Sequence, residues 1–250
     1  MGGACCTPQC DGKQCGDDSC GGVCGTCGEG DSCVDELCCT PSCEGEGCGE
    51  DGCGGLCNGC LELNFDDGTT ETAFGYSSEP SFSPEKVACL VRFELPMAGM
   101  KLTEFTAGWM WGLYNLEVPF EIVYLPGDAV SCEAGDEEDW YIEYCESTPD
   151  QMVSIGSFVP KEPYTPHTVE ELGEVILPHK TVYLGALFAV DAYPIYVCPV
   201  DASGTGAHSF MMPQTVDGDG GTKLEAAALK KKAEDPGVIP FRLRVDVVSE

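Results

Sequence analysis

The chain has 250 residues, with 43 Asp and Glu against 12 Lys and Arg, for a formal net charge of −31. That balance excludes a nucleic-acid or anionic-membrane surface, since both need clustered basic residues; the one basic run, Lys230-Lys231-Lys232, reads as a solvated face. Met1-Gly2-Gly3-Ala4 has neither the basic start nor the apolar stretch of a secretory leader, and the apolar run Thr181–Val190 is too short to span a bilayer.

Residues 1–60 hold fifteen of the 19 cysteines. Their large aliphatics are Val23, Val34, Leu37 and Leu56 plus Met1, and they contain no aromatic residue. Four aliphatics cannot form a core, so covalent bridges or metal must hold the segment. Cys6, Cys10, Cys15, Cys20, Cys24 and Cys27 are spaced by 4, 5, 5, 4 and 3 residues, and Cys39, Cys43, Cys48, Cys53, Cys57 and Cys60 repeat that spacing. Thirteen of the 22 aligned positions are identical, the period is 33 residues, and Cys5 corresponds to Cys38. A match of this length is a tandem repeat.

Cysteine-dense, glycine-rich, core-poor segments are the pattern of disulfide-stapled extracellular modules. The rival is zinc, because Cys24-x-x-Cys27 and Cys57-x-x-Cys60 have zinc-ligand spacing. Each copy, however, carries more cysteines than a single zinc site uses and no histidine. The expectation is therefore oxidised, metal-free repeats. The odd count leaves Cys33, in the spacer, without a counterpart before Cys5. This points to further repeats and a leader upstream, or alternatively to one free or intermolecular cysteine.

The core Cys-Gly-(Asp/Glu)-Asp-x-Cys-Gly-Gly-x-Cys, at Cys15–Cys24 and Cys48–Cys57, resembles cysteine-rich tandem repeats in secreted and surface proteins of myxobacteria and related predatory or marine bacteria. The resemblance covers residues 5–60 and implies a stalk or spacer.

After Cys60 the glycine density falls and aromatics appear. Strand-like runs follow at Leu61–Phe65, Val87–Leu95, Leu102–Tyr114, Val118–Leu125, Trp140–Cys145, Met152–Val159, Val175–Leu177, Val182–Val190, Ile195–Val200, Ser209–Met212 and Phe241–Val248. Turn chemistry separates them, for example Asp67-Gly68, Pro126-Gly127 and Asp219-Gly220. About ten short strands with such punctuation predict an antiparallel β-sandwich. Cys89, Val91, Phe93 and Leu95 share one face of their run, and Phe105, Ala107, Trp109, Trp111 and Leu113 share one face of theirs. One helix is expected to interrupt: Thr222-Lys223-Leu224-Glu225 reads as a capping box, and Glu225–Ala233 is rich in helix formers.

The ordered pieces Asp66-Asp67-Gly68-Thr69, Glu71, Gly75-Tyr76, Val91-Arg92-Phe93, Pro119–Tyr124, Asp201–Gly204 and Phe241–Val245 resemble jelly-roll domains attached to secreted bacterial peptidases and to surface proteins of gliding bacteria. The resemblance covers residues 61–250, and it implies an accessory domain that binds, stabilises or spaces and does not catalyse. The expected fold class is thus all-β: disulfide-rich repeats over 1–60, then a jelly-roll-like sandwich over 61–250 with one short helix.

Catalytic chemistry has little to draw on. The three histidines, His167, His179 and His208, lie beside Pro166, Pro178 and in a Gly/Ser turn, and no nucleophile elbow, His-Glu-x-x-His or phosphate loop is present. No catalytic residue is assigned. Asp217-Gly218-Asp219-Gly220-Gly221 begins like a calcium loop, but its fifth and twelfth positions, Gly221 and Ala228, are not ligands. The calcium expectation is a jelly-roll Ca2+ site drawing on Asp66, Asp67, Asp217 or Asp219, against the alternative of acidic turns. Trp109 and Trp111 read as core; Trp140, Tyr141 and Tyr144, beside an acidic loop, are the candidates for surface ligand contact. Among the remaining cysteines, Cys132 and Cys145 flank one acidic excursion and are expected to pair, leaving Cys89 with Cys198 by elimination.

Together these readings predict an extracellular or cell-surface, non-catalytic protein. Its partner would be a glycan or protein polymer or copies of itself, with no nucleic acid and no transmembrane segment. The alternatives are a subunit of a filament or surface layer, and an accessory fragment of a secreted hydrolase.

Overall fold

The structure is a computed structural model; it describes residues 6–43, 45, 47–65, 72–77, 86–107, 120–134, 141–147, 149–159, 167–169, 172, 174–189, 195–200, 209–216, 222–229 and 241–248. The chain divides into two compact units, Met1–Leu61 and Glu62–Glu250. Regular structure among the described residues is β-strand, apart from single 3-10 turns at Gly127–Ala129 and Pro149–Gln151.

The first unit has few strands: the hairpin β1 (Ser32–Val34) and β2 (Leu37–Cys39), the ladder β3 (Gly49–Glu50) and β4 (Leu56–Cys57), and β5 (Cys60–Leu63), which runs into the second unit. Its buried apolar residues include Cys15, Cys53, Cys57 and Cys60, whereas Val23 is 69% and Leu37 51% exposed. Sulfur bridges take the place that aliphatic side chains occupy in an ordinary core.

In the second unit the strands are β6 (Thr72–Ser77), β7 (Lys86–Glu94), β8 (Met100–Ala107), β9 (Phe120–Pro126), β10 (Ser131–Ala134), β11 (Tyr141–Ser147), β12 (Val153–Phe158), β13 (His167–Val169), β14 (Val175–Leu177), β15 (Thr181–Ala189), β16 (Ile195–Val200), β17 (Ser209–Val216), β18 (Thr222–Leu229) and β19 (Phe241–Asp246). The large sheet has the order β10-β11-β18-β17-β7-β15-β9-β12, with every neighbouring pair antiparallel. A second sheet has the order β13-β8-β19-β5, with β14 also on β8, and β16 pairs β6 separately.

The run Val87-Ala88-Cys89-Leu90-Val91 is fully buried on both faces of β7, at the middle of the large sheet. A strand covered on both sides loses the apolar–polar alternation of a half-exposed one. On one face Ala88, Leu90, Val123, Leu125, Cys145, Tyr183 and Phe210 pack as a cluster, and Val130, Met152 and Leu187 close over it. Tyr183 and Phe210 meet edge to face at 5.1 Å, and the Arg92 guanidinium lies over the Phe210 ring. The other face carries Cys89, Val91 and Phe93, the residues expected there, and Phe93 stacks on Phe65. In the second sheet Phe105 and Phe241 pack edge to face at 5.3 Å.

The expected helix is corrected. Thr222–Leu229 is strand β18, paired with β17 on one side and β11 on the other. Ladder bonds on both edges outweigh a helix propensity worth only tenths of a kcal/mol per residue. The remainder of that prediction, 230–233, lies outside the described residues, as do Trp109, Trp111 and Leu113.

Candidate functional site

The duplicated cage carries the densest local chemistry, and its geometry explains its sequence. In Cys-Gly-(Asp/Glu)-Asp-x-Cys-Gly-Gly, the second acid closes a turn. Asp18 Oδ1 accepts hydrogen bonds from the backbone N–H of Cys20 and of Gly22, both at 2.8 Å. Asp51 Oδ1 accepts from Cys53 and Gly55 at the same distance. Asp18 and Asp51 also donate their own N–H to the Gly22 and Gly55 carbonyls. The two N–H donors, Cys20 first, hold the Asp18 carboxyl below its ordinary value.

The Gly-Gly pair divides the remaining work. Gly21 and Gly54 adopt φ of +84° and +81°, where a side chain is strained. A Cβ on Gly22 would sit 2.6 Å from Asp18 Oδ2, and one on Gly55 would collide with Asp51 Oδ2. The second glycine is therefore required by the approach of the carboxylate.

Bridging follows the repeat, with one difference. The second copy pairs Cys39–Cys53, Cys43–Cys57 and Cys48–Cys60. The first copy has the equivalents of the first two, Cys6–Cys20 and Cys10–Cys24. Its third and sixth cysteines go instead to the hairpin that follows, as Cys15–Cys33 and Cys27–Cys38. Cys15, Cys27 and Cys38 lie within 4.8 Å of one another, but as two adjacent disulfides, so their sulfurs hold no lone thiolate for a metal. Cys5 lies outside the described residues.

In the second unit Cys132 and Cys145 are bridged; they face each other across β10 and β11, with Cα atoms 4.1 Å apart. The Cys132 sulfur lies 3.5 Å from the Tyr183 hydroxyl, tying this bridge to the core. Cys89 is disulfide-bonded, and the side chain of Cys198, on β16, lies outside the described residues.

Tyr141 and Tyr144 both lie on β11, which pairs with β10 and β18; Trp140 precedes the strand and lies outside the described residues, as do Asp66, Asp67, Asp217 and Asp219. His167 starts β13, and His208 is not among the described residues. His179 Nε2 sits 3.6 Å from Asp128 Oδ1 on the surface, with Asp128 70% exposed. An open cleft in the second repeat is lined by Ser42, Gly47, Cys48, Gly49, Glu50 and Asp51; Asp51 is already engaged in its turn.

The carboxylate turns were not singled out from sequence. One signal identifies them: of the acidic positions aligned between the copies, Asp11/Glu44 and Asp17/Glu50 interchange, while Asp18/Asp51 alone keeps the same residue. A carboxylate on a single methylene closes an Asx turn, and the extra methylene of Glu makes it too long. Comparison with known protein families, curated proteins and solved structures finds no match to this chain.

Proposed function

We propose that this is an extracellular, non-catalytic surface protein in which a disulfide-stapled repeat segment presents a β-sheet head for adhesion or ligand binding. The carrying observation is the pairing of fourteen cysteines into seven bridges within residues 6–60, where Val23 and Leu37 are exposed and Val34 and Leu56 only half-buried. Bridges at this density persist in oxidising compartments, where glutathione and thioredoxin do not reduce them. The jelly-roll resemblance supports an accessory, binding role for the head. The antiparallel pairing throughout its large sheet supports the coarser, all-β part of that reading.

Trp140, Tyr141 and Tyr144 are the proposed ligand contacts, with a glycan or protein polymer as partner. A Ca2+ site drawing on Asp66, Asp67, Asp217 or Asp219 belongs to the same proposal. The test is a glycan and extracellular-polymer binding screen of the purified full chain beside a Trp140→Ala/Tyr141→Ala/Tyr144→Ala variant. Binding that the variant loses is expected; binding it retains removes these residues from the site, and turnover of any polymer overturns the non-catalytic reading.

A second reading, a self-assembling structural subunit, draws on β12. This strand ends the large sheet on one side, and Val153 and Val159 at its ends are each 40% exposed. Concentration-dependent sedimentation separates the two readings.

A further inference from the structure

We propose that Cys15, Cys27, Cys33 and Cys38 form a thiol–disulfide exchange site for a small-molecule thiol, through which the first repeat passes from its open pairing to the closed pairing that the second repeat already uses. The open pairing is Cys15–Cys33 with Cys27–Cys38, and the closed one is Cys15–Cys27 with Cys33–Cys38.

Three observations place both pairings within reach. First, the sulfurs of Cys15, Cys27 and Cys38 lie within 4.8 Å of one another, so Cys15 and Cys27 are neighbours without being bonded. Their counterparts Cys48 and Cys60 are bonded, with Cα atoms 4.8 Å apart. Second, Cys33 and Cys38 are direct cross-strand partners in the β1–β2 hairpin. Asp35 and Glu36, at φ of +48° and +69°, make its tight turn, which puts Val34 and Leu37 at the closing hydrogen-bonded pair and Cys33 and Cys38 at the next, closer pair. Such a pair can be bridged, and Cys132–Cys145, also direct cross-strand partners, is this chain's own example. Third, the hairpin is seated on the first repeat. Gln14 and Cys15 donate their N–H groups to the Glu36 carbonyl at 2.7 and 3.3 Å, and Cys38 donates its N–H to Gln14 Oε1 at 3.0 Å. These bonds hold Cys38 beside Cys15 while bridges change.

Accessibility sets the order of steps. Cys33 is exposed and Cys15 is buried. A thiolate RS⁻ attacks Cys33 Sγ, forming R–S–S–Cys33 and expelling Cys15 as thiolate with the bonding electron pair. Cys15 then attacks Cys27 Sγ, forming Cys15–Cys27 and expelling Cys38. Cys38 attacks Cys33 Sγ across the hairpin, forming Cys33–Cys38 and returning RS⁻. Two bridges are present before and after, no electrons are gained or lost, and the thiol is a catalyst. The closed form removes the two covalent ties of the hairpin to the first repeat, leaving the backbone of residues 28–31 as the covalent link between Cys27 and β1 and only hydrogen bonds to seat the hairpin. The spacer between the repeats thereby changes from stapled to hinged.

The experiment is disulfide mapping of the oxidised full chain after incubation with reduced glutathione, followed by acid quench and thiol blocking. Asp and Glu residues separate all four cysteines: Asp17 and Asp18, then Glu29 and Asp31, then Asp35 and Glu36. Cleavage at acidic residues therefore distinguishes the pairings. The expected result is loss of the Cys15–Cys33 and Cys27–Cys38 links and gain of Cys15–Cys27 and Cys33–Cys38, at unchanged intact mass, with the three bridges of the second repeat intact. Three results overturn the proposal: no exchanged link while the chain stays folded, scrambling that spreads equally into Cys39–Cys60, or reduction to free thiols without a Cys15–Cys27 product. A Cys33→Ser/Cys38→Ser variant gives an independent reading. It is expected to bridge Cys15 to Cys27 spontaneously, and free Cys15 and Cys27 thiols in the folded variant count against the site.

Discussion

Gly185 sits at the middle of β15, opposite Leu90 of β7 and Val123 of β9. Its backbone is extended, so alanine meets no conformational penalty there. The obstacle is space: a Cβ would lie 2.9 Å from both the Cys89 carbonyl carbon and Leu90 Cα, and closer still to the Cys89 carbonyl oxygen, where ordinary contact begins at 3.4 Å. β7 is hydrogen-bonded to β15 on one side and β17 on the other, so it cannot step aside without breaking a ladder. Gly185→Ala should cost about 3 kcal/mol, the upper part of the range for overpacked cores. In a domain of this size that corresponds to a fall in Tm of roughly 6–12 °C. Gly99→Ala is the matched control. Gly99 has φ of +82° and nothing within 4 Å of a new Cβ, so it carries only the strain of a left-handed residue, about 1–2 kcal/mol. Trp109, Trp111 and Trp140 all belong to the second unit, so thermal unfolding followed by tryptophan fluorescence reports on that unit alone. A Gly185→Ala Tm within a degree or two of the parent, or a larger loss from Gly99→Ala, would refute the steric argument.

Gly55→Ala should displace the Asp51 carboxylate and expose the Cys53 and Gly55 amides, raising their hydrogen-exchange rates while leaving those of Cys20 and Gly22 unchanged. Folding favours the ionised form of Asp18, because its carboxyl is held below the ordinary value by the Cys20 and Gly22 N–H groups. Its contribution is therefore complete above that ordinary value and is lost as pH falls through the folded-state value, so amide protection at Cys20 and Gly22 should collapse only on strong acidification and should be pH-insensitive over this range in Asp18→Asn. Replacing Cys132 and Cys145 together by serine opens a loop of 13-residue separation; the chain-entropy cost is about 3 kcal/mol, read as a Tm lower by several degrees in the same fluorescence assay.

Much of the second unit was legible because a short apolar, strand-type run bounded by turn residues is a local property. Val87–Leu95, Val182–Val190 and Ile195–Val200 are strands β7, β15 and β16 to within a residue or two. What was not legible depends on partners distant in sequence. Thr222–Leu229 reads as helix by itself, and becomes a strand because β11 and β17 offer edges on both sides. Ser131–Ala134 and His167–Val169 are too short and polar to show a pattern, and gain their ladders from β11 and β8. In the repeats, spacing indicated bridges but not their connectivity. Six equivalent cysteines in each copy imply equivalent pairing, and only the folded geometry shows Cys33 and Cys38 diverting two of them. The surface candidates were the least accessible, since aromatic residues beside an acidic loop carry no period to read.

The two units resist different challenges. The second is held by apolar side chains fully withdrawn from water, such as Phe93, Phe105, Phe210 and Phe241, and its stability is governed by temperature and packing. The first has no such set; its buried apolar residues include Cys15, Cys53, Cys57 and Cys60, and its turns are closed by carboxylates at Asp18 and Asp51. A network of this kind gains little from burial and much from the loops its bridges close, so heat strains it less than a thiol does. The stability of the first unit is therefore a property of its redox surroundings. The point where those surroundings act first is the bridge that combines an exposed cysteine with an alternative partner already in reach. Cys15–Cys33 meets both conditions: Cys33 is exposed, and Cys27 lies beside Cys15. Cys48–Cys60, with both sulfurs committed inside the repeat and Cys60 buried, lacks that combination. The hairpin inserted between the repeats thus makes the first copy responsive where the second is fixed, from the same cysteine spacing.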